Sequence, residues 1–116
     1  MKAMILIYNS EAAWAALAPA EMEREMGAYM AYTQALIAAG AFVDGSELAL
    51  TPTARSVKVT DGGAVVTDGP YVDTKEQLGG YYILEVASMD EAIAWAAQCP
   101  GARHGGVEVR PRNEHS

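Results

Sequence analysis

The order of apolar runs along the chain predicts an α+β fold, a ferredoxin-like split βαβ protomer with an added hairpin. Three observations carry it. Ala3–Tyr8 (AMILIY) is apolar at nearly every position, two later stretches carry helix-start signals, and an alternating arm and a second β-prone arm flank Asp61-Gly62. The elements run strand, helix, strand and hairpin, strand, helix, strand, which places both helices on one face of a single sheet.

Each element has a local reason. Ala3–Tyr8 lacks a solvated alternation, so it suits a central strand buried on both faces. After an Ala-rich piece at Glu11–Leu17, Pro19 opens a helix where its missing N–H costs nothing, and Glu21 and Glu23 complement the helix dipole. Met22, Met26, Tyr29, Met30, Thr33, Leu36 and Ile37 recur at three- and four-residue steps and read as its core face. Gly40 supplies the C-terminal cap. Ala41–Leu50 reads as a strand ended by Thr51-Pro52. Arg55–Thr60 and Ala64–Thr67 form a hairpin around Asp61-Gly62, a dipeptide suited to a turn with positive φ at both central residues. Asp68–Gly80 is a turn-rich loop with one helical turn around Thr74–Gln77, followed by a strand at Tyr81–Val86. Ser88 and Glu91 make a capping box for a helix that stops near Cys99-Pro100, and Gly106–Arg110 alternates as a last strand before Pro111. Residues 1–112 therefore form one domain, with a polar tail at 113–116. Two helices cover one sheet face only. The bare face, with Tyr8 and Tyr81 or Tyr82, calls for a second copy, so a homodimer is expected.

Composition excludes several function classes. The chain has 116 residues, 51% hydrophobic, enough for one real core. A net charge of −7 with only eight scattered Lys and Arg argues against nucleic acid. No apolar run approaches the roughly 20 residues of a membrane span, and Met1–Tyr8 is too short and strand-like for a signal peptide, so a cytoplasmic location is expected. Cys99 is the single cysteine and only His104 and His115 join it, which gives no structural zinc set; neither metal nor cofactor is expected. Gly79-Gly80 and Gly105-Gly106 each precede a strand and are not phosphate loops, and Ser10, Ser46, Ser56 and Cys99 lack the surroundings of an activated nucleophile.

His104 stands between Arg103 and two glycines just before the last strand, the first candidate for a general acid or base; the plainer reading makes it a helix cap or a loop hydrogen bonder. Asp68-Gly69-Pro70 satisfies turn geometry by itself, or Asp68 orients His104. Lys75 and Glu76 are a solvated pair or line a pocket. Glu108 and Arg110 alternate away from Val107 and Val109 onto the bare face, where they pair with each other or Arg110 anchors an anion.

The segment TDGPYVDTKEQLGGYYILEV resembles the YCII-related proteins, in the branch named for a DGPF sequence that is here Asp68-Gly69-Pro70-Tyr71. MILIY, DEAIAWA and GARHGGVEVRP extend the resemblance over nearly the whole chain. Tyr71 replaces the name-giving Phe, and Ala18-Pro19 replaces a Ser/Thr-Pro helix start. The resemblance implies a dimeric α/β barrel of ferredoxin-like protomers and gene neighbourhoods with extracytoplasmic-function sigma factors, with no settled activity. For the related YCII proteins proper a His with a nearby Asp is the suggested active site, roles that here fall to His104 and to Asp68 or Asp73. The expectation is a cofactor-independent small-molecule enzyme in which His104 moves a proton and Asp68 orients it, with Tyr8, Arg110, Tyr82 and Glu76 holding substrate. The alternatives are a non-catalytic ligand-binding or interaction protein associated with sigma-factor regulation, and a purely structural dimer module.

Overall fold

The computed structural model describes residues 1–114, so His115 and Ser116 of the expected tail lie outside the described residues. The elements are β1 (Lys2–Asn9), α1 (Glu11–Ala15), α2 (Pro19–Ala38), β2 (Phe42–Glu47), β3 (Arg55–Thr60), β4 (Gly63–Asp68), β5 (Gln77–Glu85), α3 (Met89–Gln98) and β6 (Gly106–Pro111). Short 3₁₀ turns occupy Thr51–Thr53 and Pro100–Arg103. The main sheet is antiparallel in the order β2-β5-β1-β6, with the first and third of its strands at the centre. That is the ferredoxin-like order expected from the sequence. The hairpin β3–β4 forms a separate two-stranded sheet.

Helix ends follow the local chemistry. Ser10 caps α1 by accepting from Ala13 N at 3.1 Å, and Ser88 caps α3 by accepting from Glu91 N at 3.2 Å. Ahead of α2, which has Pro19 at its start, Ala18 N donates to Glu21 Oε1 at 3.1 Å. The core lies between the sheet and the longer helices: Ala3, Ile5 and Ile7 of β1 and Tyr82 and Leu84 of β5 meet Tyr32 and Leu36 of α2 and Ala92 and Ala96 of α3. Tyr32 ties the two helices together by donating to Trp95 O at 2.7 Å, and its ring meets Tyr82 edge-on at 5.3 Å.

Three expectations are corrected, and one open alternative is settled. Met26 and Met30 are not core residues, and Met30 is 69% exposed. Steps of four advance a helix by about 40° beyond full turns, so the row Met22, Met26, Met30 drifts off the sheet, whereas Glu25, Tyr29, Tyr32 and Leu36 alternate steps of four and three and stay on it. In the hairpin, positive φ falls on Gly63 (109°), the residue after Asp61-Gly62, as in a type I turn followed by a left-handed glycine. No helical turn forms at 74–77, where β5 begins four residues before Tyr81; Gln77 Nε2 donates back to Thr74 O at 2.6 Å. Tyr82 pairs with Ile5 and lies on the helix face, while Tyr81 pairs with Leu6 on the bare face.

The bare face carries Met4, Leu6 and Tyr8 with Tyr81, Ile83, Glu108 and Arg110. The β3–β4 hairpin leaves its valines in solvent, with Val59 77% exposed. No helix among the described residues is long and apolar enough to cross a membrane.

Candidate active site

The turn after α3 positions His104. The Gly101 carbonyl closes that turn by accepting from Gly105 N at 3.2 Å, and Gly101 leaves room for the Tyr29 hydroxyl, which an added Cβ would meet at 2.8 Å. Chain direction then turns sharply into β6 because Gly105 lies against the Tyr8 carbonyl. The outcome is that His104 Nε2 sits 2.9 Å from Glu25 Oε1, on the inward stripe of α2. The side chain of His104 is 59% exposed and that of Glu25 only 21%. Glu25 Oε2 is buried and has no hydrogen-bond partner among the described residues.

This pair borders a cavity of about 460 Å³ lined by Ser10, Trp14, Arg24, Tyr29, Lys75 and Glu76, among others. A second cavity of about 240 Å³ shares Asn9, Trp14 and Tyr29 with it and is otherwise walled mainly by apolar and aromatic groups, including Phe42, Leu78 and Tyr82. Burial pushes the Tyr29 phenol well above its ordinary range, and neighbouring groups including Glu25 push it the same way, so it remains a proton-bearing donor. Chemically, a carboxylate with one oxygen fixed on an imidazole and the other dry and unpaired is suited to accept a proton from a ligand hydroxyl. Among the described residues no group of three or more His, Cys, Asp or Glu is placed to hold a metal ion.

The residues singled out in the sequence are distributed over several places. His104 and Glu76 share the larger cavity. Tyr82 lines the apolar cavity, its hydroxyl 2.8 Å from Thr33 Oγ1. Tyr8 and Arg110 lie together on the bare sheet face, where Arg110 pairs with Glu108, the plainer of the two readings of those charges. Asp68 is 89% exposed and pairs with Arg55 at 3.1 Å across the hairpin, while the acid on His104 is Glu25. Gly69 takes φ 100° and donates its N–H to Ala54 O at 2.8 Å, so the Asp-Gly-Pro run is explained by turn geometry. Glu25, Trp14 and Tyr29 were not legible as site residues. For Glu25 the available signal was a carboxylate standing on the helical stripe of Tyr29, Tyr32 and Leu36.

The strand order and a cleft built from helix, turn and loop define a ferredoxin-like α+β protein with a pocket beside the sheet. The YCII-related domain model matches residues 1–114, and the chain belongs to that family. It is 36% identical over 109 residues to an uncharacterized protein of Rhizobium meliloti (strain 1021), covering 92% of this chain and 88% of that one. Its fold is similar to that of 5-chloro-2-hydroxyhydroquinone dehydrochlorinase (TftG) from Burkholderia phenoliruptrix AC1100, solved in complex with 2,5-dihydroxybenzoquinone. The TM-score is 0.57 at 18% identity, covering 100% of this chain and 96% of that one.

Proposed function

We propose that the chain is a cofactor-independent enzyme that transfers protons on a small hydroxylated aromatic or quinonoid ring. The observation that carries this is the Glu25–His104 pair, with its buried, unpartnered Oε2, beside a cavity whose lining includes the rings of Trp14 and Tyr29. Glu25 takes the proton of a ring hydroxyl, the oxygen becomes a carbonyl, and the imidazolium of His104 returns a proton to the ring carbon, an enol-to-keto shift with no net gain or loss of atoms. A chlorinated ring in the keto form then sheds chloride with a second proton. The similar fold of the dehydrochlorinase gives this substrate class a precedent, and Lys75 and Arg24 supply cations for a ring oxygen or departing anion.

The test is chloride release and ring absorbance with a chlorinated trihydroxybenzene, on wild type and on His104→Ala. The expected result is enzyme-dependent chloride release that falls by about 10²–10⁴ in the variant; equal rates in the two proteins would end the reading.

The half-buried Met4, Leu6, Tyr81 and Ile83 support a homodimer joined through the bare face, for which sedimentation should give twice the chain mass rather than a monomer. The exposed valines of the β3–β4 hairpin favour, as a second reading, an interaction protein of the kind that would accompany a sigma factor. That reading predicts that His104→Ala and Val59→Lys have opposite consequences: only the latter would disturb partner capture.

A further inference from the structure

We infer that the apolar cavity is a subsite for a hydrocarbon substituent on the ring bound at Glu25–His104, so that the preferred substrates are alkyl- or aryl-substituted hydroxylated aromatics. The inference rests on the proton-transfer reading above and adds which ring is taken.

Two properties of the cavities lead here. They adjoin, sharing Asn9, Trp14 and Tyr29 as a common border, so a ring held at Glu25–His104 lies beside the apolar space. Their polar chemistry differs. In the larger cavity a buried carboxylate oxygen has no partner. In the apolar one several polar groups already have partners: Tyr82 and Thr33 hydroxyls lie 2.8 Å apart, Thr33 donates to Tyr29 O at 2.9 Å, and Glu11 accepts from Thr51 N at 2.8 Å, while Glu47 stands exposed in its lining. A hydroxyl placed against Phe42, Leu78 and Tyr82 would lose water with little in return, whereas a hydrocarbon there loses only contact with water. The cavity, about 240 Å³, exceeds the roughly 150 Å³ in which an apolar site holds a benzene-sized molecule. Ring hydroxyls therefore face Glu25 and the substituent passes Trp14 and Tyr29 into the apolar space.

Calorimetric titration of hydroquinone and n-butylhydroquinone tests this on wild type, His104→Ala, Met26→Trp and Leu50→Trp. Both filling positions line the apolar cavity and are exposed, Met26 on α2 and Leu50 in the loop after β2. Each buried methylene raises affinity by about fourfold. The butyl compound should bind wild type at least about tenfold tighter, and both tryptophan variants should cut that advantage below about threefold while binding hydroquinone normally. His104→Ala should weaken both ligands alike. No butyl advantage, or one that survives both tryptophans, would overturn the subsite and leave the proton-transfer reading standing. Binding of both ligands that is indifferent to His104→Ala would instead overturn the proton-transfer reading, and the inference with it.

Discussion

Gly105→Ala is expected to destabilise the fold by about 3 kcal/mol or more and to abolish ligand binding, while Gly106→Ala, one residue on, is tolerated. A Cβ at Gly105 would lie 2.1 Å from the Tyr8 carbonyl oxygen, 2.9 Å from Asn9 Cα and 2.8 Å from Glu76 Oε2. Two of those atoms belong to the backbone at the end of a central strand, so no rotamer change relieves the overlap. The turn would have to retreat from β1, carrying His104 away from Glu25. At Gly106 a Cβ meets nothing within 4 Å and φ is not in the left-handed region, so alanine there should melt within about a degree or two of wild type. Thermal melts of both variants decide the matter; equal melting temperatures would show that the approach of the turn to β1 is not tight.

Glu25→Leu is expected to raise stability while removing activity. Glu25 keeps a buried oxygen without a partner among the described residues, a deficit of about 1–3 kcal/mol, while its contact with His104 uses an imidazole more than half exposed and so contributes little. Leucine removes the deficit and packs among Ala13, Trp14 and Leu17, which border the same cavity. The melting temperature should rise by about 3–10 °C, and turnover should fall by about 10² or more. A variant that melts lower than wild type, or that keeps its turnover, would show that Glu25 is a structural partner of His104 and no more. Stability withheld at one position in this way is typical of binding sites, where a ligand supplies the missing contact.

Much of the scaffold was legible because its signals are local. The AMILIY run, Pro19 at the start of α2, Ser88 with Glu91 ahead of α3 and the alternation of Gly106–Arg110 all specify structure through neighbours a few residues apart. Alternatives stayed open, and errors arose, where geometry depends on more than neighbours. Whether Tyr81 or Tyr82 faces the helices is set by pairing register with β1, which a period of two cannot supply. The methionine row was misplaced by the rotation of four-residue steps about α2. At the site, His104 stood out through its glycine-rich setting, but its acid lies 79 residues away on a helix, and only the packing of α2 against the turn at 100–103 brings the two together. Asp68 looked the better partner because it belongs to a distinctive motif, which in the structure serves the turn between β4 and β5.

The most direct test of the central claim is to map the binding of 2,5-dihydroxybenzoquinone by amide chemical shifts of the isotopically labelled protein. The largest shifts are expected at Asn9, Ser10, Lys75, Glu76, Gly101, His104 and Gly105, with the His104 imidazole nitrogens moving as Glu25 changes partner. Shifts confined to Leu6, Tyr81, Ile83, Glu108 and Arg110 on the bare sheet face, or no shifts at saturating ligand, would contradict it.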